Sequence, residues 1–408
     1  MPARVSADPS PDAAGAAKTL RVLVPDLPVV DEFLPALREI DARRWYTNGG
    51  ALSVAFESSL ASLVAGPSGV AQHCIATSSG TTALEVALLC LSLPPRSRVL
   101  VPAYTFPATA NAVIRAGHVP VLTDICPQHW TLTPAIARAA IAAEKVDAVM
   151  PVAVFGARLP VEEWDAFSDE TGIPVIIDAA AALGAMHGGR RVIVAYSLHA
   201  TKPLGIGEGG VIASANEAFA SSARRFINHG FEGGQAAIAG TNARLSEYAA
   251  AIGLAQLARW PRVLERRRAV WGRYRERLAE LRGISLQRGA DDHPPAVLTV
   301  RTRVASDAVA ASLAAESIET RRWYSPPLHL HRAYGGVPHV TTARGFPIAS
   351  EVAGHAIGIP FHAHLTLDDV DRVARTLART LIALHDATPA NGSSNAARAM
   401  PRQRRLAR

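Results

Sequence analysis

The 408-residue chain is short of lysine, cysteine and aromatic residues. Only three lysines occur, Lys18, Lys145 and Lys202, so 39 of the 42 basic residues are arginine. The three cysteines, Cys74, Cys90 and Cys126, contain no C-x-x-C pair, which argues against a zinc ribbon, a redox dithiol or a disulfide framework. No run reaches the ~20 uninterrupted apolar residues that a membrane span needs. The N-terminal PARVSADPSPDAAGAA has no apolar stretch of the kind a secretory signal carries. These absences predict a cytoplasmic protein with no membrane partner.

What the chain does have is core-forming capacity. Apolar residues make up 49% and charged residues 19%, which rules out global disorder, and the length suggests two or three domains. The net charge of +7 is uneven: residues 387–408 hold five arginines and no acid, which leaves +2 for the rest. An arginine tail without interleaved aromatics gives only weak, salt-sensitive contact with nucleic acid, so no nucleic-acid partner is expected. Residues 1–19 and 387–408 read as disordered tails, the second of them basic.

From residue 72 onward, β-branched runs alternate with helical stretches. QHCIATSS, SRVLVPAYTF, HVPVLTDI, VDAVMPVAVFG, IPVIIDAA, RVIVAYSL and GGVIAS are strand-like. Most are short continuous apolar runs, as expected of strands covered on both faces. Helical spacing lies between several of them, so an α/β domain with a mainly parallel sheet is predicted, within residues 20–261. The stretch SEYAAAIGLAQLARWPRVLERRRAVWGRYRERLAELRG reads as one or two long helices, broken near Pro261. After it, ISLQR, AVLTVRTR and SIETRRWY read as strands of a smaller α+β domain over 262–386.

Four spans carry possible chemistry. Thr77-Ser78-Ser79-Gly80-Thr81-Thr82 follows a strand and opens a helix, and either cradles a phosphate or simply caps the helix. Asp178 ends a strand-like run; there it either pairs with a cationic group of a ligand or caps the next helix. Lys202 lies in a loop among small and hydroxyl residues. It is either a solvated loop lysine or, since lysine can lose its proton, the amine of a Schiff base. The scarcity of lysine elsewhere weakens the first reading. Gly205, Gly207 and Gly210 match G-x-G-x-x-G, but a strand-like VIAS follows where a dinucleotide site needs a helix, so that reading is rejected. The His-x-His pairs at 329/331 and 362/364 lack an acidic or cysteine cluster and are read as core or pocket residues, not metal ligands.

Taken in order, the motifs resemble those of the DegT/DnrJ/EryC1/StrS sugar aminotransferases, which depend on pyridoxal 5'-phosphate (PLP). They are Ser-Gly-Thr-x-Ala-Leu (79–84), Pro-x-Tyr-Thr-Phe-x-Ala-Thr (102–109), Pro-Val-x-x-Phe-Gly (151–156) and Asp-Ala-Ala (178–180). Ser-x-x-x-x-Lys (197–202), Gly-Glu-Gly-Gly (207–210), Gly-x-Asn-x-Arg (240–244) and Pro-Leu-His (327–329) complete the series. The likeness spans roughly residues 25–382. It implies the PLP-dependent transferase fold of type I: a large PLP-binding domain with a mainly parallel, seven-stranded sheet flanked by helices, and a small C-terminal α+β domain.

The resemblance also implies roles. Lys202 matches the lysine that holds PLP covalently and shuttles a proton, and Asp178 the carboxylate on the pyridine nitrogen. Gly80, Thr81, Thr82 and Ser197 match phosphate-holding positions, and Phe106 the aromatic residue that stacks on the ring. Asn242 matches a residue given to the phosphate by the neighbouring subunit, which implies a homodimer with shared sites. Asn48, Arg244 and His329 are candidate substrate contacts. The implied partners are an amino-acid donor, glutamate, and a keto-sugar acceptor, a nucleotide-linked 4-keto-6-deoxyhexose. A keto-cyclitol acceptor and a non-catalytic regulator of the same fold are the alternatives. The chain departs from the family pattern where relatives usually carry Gln three residues after the aspartate, near the ring hydroxyl; here that residue is Ala181. It departs again in the early loop, Tyr46-Thr47-Asn48-Gly49-Gly50-Ala51, which often ends Gly-Pro in relatives.

Overall fold

The computed structural model describes residues 19–66, 69–289, 293–341 and 344–386. The tails assigned to the two ends therefore lie outside the described residues, except for Thr19. Helices α1 (Val30–Arg43) and α2 (Ala51–Val64) precede strand β1 (His73–Thr77). Then follow α3 (Gly80–Leu89), β2 (Arg98–Pro102), α4 (Pro107–Arg115), β3 (Val119–Thr123), α5 (Pro134–Ala143), β4 (Ala148–Val149) and α6 (Val161–Thr171). β5 (Ile176–Asp178), β6 (Ile193–Ser197), β7 (Gly210–Ser214) and α7 (Glu217–Ile227) complete the alternation.

Each of the seven strand-like runs named from the sequence contains one of these strands. β1, β7, β6 and β5 form one hydrogen-bonded set, and β4, β2 and β3 another. Parallel bridges Val149–Val175 and Val152–Asp178 join the sets between β4 and β5. β7 runs antiparallel to both its neighbours, while the β5–β6, β2–β4 and β2–β3 pairings are parallel. Alternate residues feed opposite faces. Cys74, Leu100, Ile177 and Val194 enter one core, and Ile75, Val99, Ile176 and Ile193 the other. A sheet buried on both sides explains why its strands read as unbroken apolar runs.

After an exposed hairpin, β8 (Phe231–Glu232) and β9 (Gln235–Ala236), comes α8 (Glu247–Ala279). This helix continues unbroken past Pro261, contrary to the break expected there. Trp260 and Val263 are anchored in the large core, and Val270, Trp271, Tyr274 and Leu278 in a third core. Burial on both sides of the proline thus outweighs the one hydrogen bond it removes. The remaining elements are β10 (Ile284–Leu286), β11 (Leu298–Thr302), α9 (Ser306–Ala315), β12 (His339–Val340), α10 (Pro347–His355), β13 (Ala356–Ile359) and α11 (Leu367–Asp386). β12 extends the large sheet beside β3. β10, β11 and β13 make an antiparallel sheet over the third core, which also takes in Leu20. SIETRRWY is not one of its strands; its backbone pairs with neighbours through isolated bridges at Ile318 and Arg321. A left-handed backbone at Tyr324 (φ +58°) turns the chain out of extended geometry at that point.

The early loop is tied to α8 by one buried carboxylate. Glu247 accepts from the Leu52 and Ser53 backbone N–H groups, each at 2.9 Å, and from the Ser53 hydroxyl. Its own N–H donates to the Tyr46 carbonyl at 3.0 Å. An acid at a helix start satisfies donors that the helix itself cannot. Glu247→Ala is expected to cost about 2 kcal/mol, since it strands buried donors at the start of α2. Denaturant unfolding reads this directly, and an unchanged midpoint would show that the clamp contributes nothing.

Candidate functional site

β1, β5 and β6 end at one edge of the sheet, where β7 begins. In the register, Gly210 pairs with Thr77 on one side and Ser197 on the other. Strand ends at such an edge are where open α/β sheets bind ligands. The crowding is tight enough to require glycine. A Cβ on Gly210 would lie 2.3 Å from the Ser79 carbonyl oxygen, and one on Gly80 would lie 2.7 Å from the Ser197 Cβ. Gly80 opens α3, and the Ser79 hydroxyl caps it by accepting from the Thr82 N–H at 3.1 Å. Thr82 also shares a 2.9 Å hydroxyl contact with Ser79. The positive end of this helix therefore lies against Ser197.

Asp178 ends β5 at 4% exposure. Its Oδ2 accepts from the Thr109 hydroxyl at 2.7 Å, and its Oδ1 from the Ala180 N–H at 3.1 Å. Burial pushes its pKa above the ordinary carboxylate value, and those two donors together with the charge of Lys202 pull it partly back. Burial likewise pushes Lys202 below its ordinary value, against the pull of Asp178. Buried Asp178 and half-buried Lys202 thus lie within electrostatic reach of each other. The loop carrying Lys202 is held by local bonds: its N–H donates to the His199 carbonyl at 2.8 Å, and His199 Nδ1 meets the Thr201 hydroxyl at 2.8 Å. His199 thereby supports the lysine's loop and stands apart from the lysine's own position.

The other residues singled out from the sequence are spread around this edge. Phe106, the N-cap of α4, is 62% exposed, one helical turn before Thr109. Asn242 accepts from Arg244 Nε at 3.1 Å and Nη2 at 2.8 Å, and the same guanidinium reaches Asn228 and His229. Arg244 and Asn48 line one cavity of about 160 Å³ beside Asn228. His329 stacks on Phe346, with ring centroids 4.3 Å apart, and meets the Ser350 hydroxyl at 3.2 Å. Burial lowers its pKa. Among the described residues, no hydrogen bond or ion pair joins Arg244, Asn242 or His329 to Asp178 or Lys202.

Sequence reasoning missed Thr109 and Tyr324. Thr109 lies inside the quoted 102–109 motif; its signal was a hydroxyl three residues into a helix start, on the side facing the sheet. Tyr324 gave no signal, because its position depends on ring stacking across the fold.

A family model described as the DegT/DnrJ/EryC1/StrS aminotransferase family matches residues 29–378. The chain is 32% identical to the erythromycin biosynthesis sensory transduction protein EryC1 of Saccharopolyspora erythraea, over 84% of this chain and 93% of that one. It is 32% identical to GDP-perosamine synthase of Caulobacter vibrioides, over 83% and 92%. Among solved structures it is similar to DesI crystallised in the presence of its TDP-sugar product. There the TM-score is 0.80 at 30% identity, covering 92% of this chain and 97% of that one. No helix among the described residues is long and apolar enough to cross a membrane.

Proposed function

This chain belongs to the DegT/DnrJ/EryC1/StrS aminotransferase family and is a PLP-dependent transaminase; on that premise we propose that it moves an amino group from glutamate to a nucleotide-linked 4-keto-6-deoxyhexose. The relatives support the acceptor class, since one is a GDP-perosamine synthase and another was crystallised with a TDP-sugar product. The observation that carries the reading is the pair of opposite charges, buried Asp178 and half-buried Lys202, at the strand-end edge beside a helix start.

These residues fit PLP. The Gly80 and Thr81 N–H groups, at the first two positions of α3, precede the helix's own hydrogen bonding and suit a phosphate, with Thr82 and Ser197 adding hydroxyls. Asp178, raised by burial, stays ionised best against a cationic partner such as a protonated ring nitrogen. When bound, PLP supplies the electron sink that takes up the electron pair from the donor's Cα. Lys202 first holds the cofactor, then accepts the Cα proton and returns it. Its lowered pKa leaves a larger share of neutral amine for that task. Thr109 holds the Asp178 carboxylate in place, and Phe106 covers the ring. Asn48, Arg244 and His329 serve as contacts for the acceptor's polar and anionic groups. Asn242 completes the phosphate site of a second protomer in a homodimer located in the cytoplasm.

Two experiments test this. Glutamate and a panel of nucleotide keto-sugars, read by mass spectrometry, should give the amino sugar. Turnover on a keto-cyclitol and on none of the nucleotides would overturn the acceptor class. For the shared sites, Lys202→Ala and Asn242→Ala proteins are each expected to be weak alone. Mixed and allowed to exchange subunits, they should recover about a quarter of wild-type activity, because half the dimers would then hold one intact site. Recovery of nothing beyond the sum of the two would mean that each site is built within one protomer.

A further inference from the structure

Next to Asp178 stands an aromatic cluster whose geometry is unusual in three independent ways. Phe155 and Tyr324 both have left-handed backbones, φ +60° and +58°. Bulky residues rarely adopt that region, and where they do, strain of this kind gathers at functional sites. Their rings stack, 3° from parallel with centroids 5.3 Å apart, and Tyr104 meets them edge-on at 6.1 and 5.4 Å. The third feature is the Tyr324 hydroxyl. The other buried or half-buried tyrosines each donate a hydrogen bond: Tyr104 to the Trp323 carbonyl, Tyr196 to Met186, Tyr274 to Pro360 and Tyr334 to Asn111. The Tyr324 hydroxyl makes no hydrogen bond to another described residue, and its oxygen is not fully buried. That phenol is therefore open to a ligand, unlike those of the other four.

The stack also fixes which side of Asp178 this phenol occupies. The segment carrying Phe155 runs alongside the aspartate: Val152 bridges Asp178, and the Ala153 N–H donates to the Asp178 carbonyl at 2.9 Å. One residue beyond Phe155, a Cβ on Gly156 would lie 2.7 Å from the Ala181 carbonyl oxygen. Tyr324, Phe155, Gly156 and Ala181 thus form one contiguous wall. Asp178 is close enough that its charge, after burial, is the next cause of the raised pKa of Tyr324, so the phenol stays protonated and can only donate to an anionic oxygen.

Resting on the PLP reading above, we propose that the Tyr324 hydroxyl donates a hydrogen bond to the ring hydroxyl oxygen of PLP, the bond that the methyl side chain of Ala181 cannot make. The rigid, strained stack on Phe155 replaces a flexible amide with a fixed phenol. Tyr324 is then a positioning and tuning residue for the cofactor. Its donor draws charge from the ring oxygen, and that oxygen otherwise helps to hold a proton on the neighbouring lysine link.

The test is the pH titration of the visible absorbance of PLP-loaded protein, which needs no turnover. In Tyr324→Phe the ring oxygen loses a donor, the link holds its proton more tightly, and the midpoint is expected to rise by about one pH unit. Ala181→Gln added to Tyr324→Phe should return the midpoint towards wild type. Ala181→Gln alone should move it less, because the position is already served. Thermal melts of all three proteins report whether they fold, and Phe preserves the stack. A midpoint unchanged in Tyr324→Phe overturns the proposal while leaving the cofactor assignment standing. If wild-type protein develops no visible band with PLP, the cofactor assignment itself fails, and this inference with it.

Discussion

Lys202→Ala is expected to lower amine transfer by at least about 10³-fold in kcat and to remove the visible band of the lysine-bound cofactor. In the proposed reading one side chain carries both effects, the covalent hold and the proton relay, and proton transfer by a positioned group alone is worth roughly 10²–10⁴-fold. No other lysine can stand in. Lys145 is an exposed residue paired with Asp147, and Lys18 lies outside the described residues. Arginine, abundant everywhere else, does not give up its proton. The fold is expected to survive, because the Lys202 side chain makes no hydrogen bond or ion pair among the described residues. Single-turnover assays with glutamate alone isolate the first half-reaction. Unchanged rates in the variant would remove Lys202 from the chemistry.

Asp178→Asn is expected to reduce kcat by about 10²–10³-fold, the scale set by losing one preorganised charged partner in a dry site. PLP should still bind, because the helix start at Gly80, proposed to hold its phosphate, is untouched. The effect has a pH signature that can be read in a gentler variant. The Thr109 hydroxyl is the largest influence pulling the Asp178 pKa down against burial. Thr109→Val removes it, so the carboxylate protonates at higher pH. Activity needs the ionised form, which exists above that pKa and is lost as pH falls through it. The acid limb of the rate profile in Thr109→Val should therefore move to higher pH, with the alkaline limb unchanged. An acid limb that stays in place would show that Asp178 does not control it.

How much of this was legible in the chain follows from how local each feature is. The seven sheet strands stood out because double-sided burial forces continuous apolar runs, and GVIAS and IVAYS are buried along their whole length. Lys202 and Asp178 stood out because each is chemically out of place, a lysine in an arginine-rich chain and an acid closing an apolar strand. Pro261 misled because a proline's local cost is visible in sequence, whereas the two cores that clamp α8 on either side of it are not. SIETRRWY was read as a strand from its β-branched and aromatic residues. The third strand of the small sheet is AIGI instead, whose glycine lets Trp323 pack closely. Thr109, Glu247 and Tyr324 are long-range features: their partners lie 69, 194 and 169 residues away, at Asp178, Ser53 and Phe155. No spacing rule reaches across such distances.

The most direct test of the central claim uses wild-type protein loaded with PLP in a spectrophotometer cell. Glutamate added without acceptor should bleach the visible band as the amino group passes to the cofactor, and a nucleotide-linked 4-keto-6-deoxyhexose should then restore it. A band that ignores glutamate, or that Lys202→Ala protein shows and loses in the same way, would contradict transamination through Lys202.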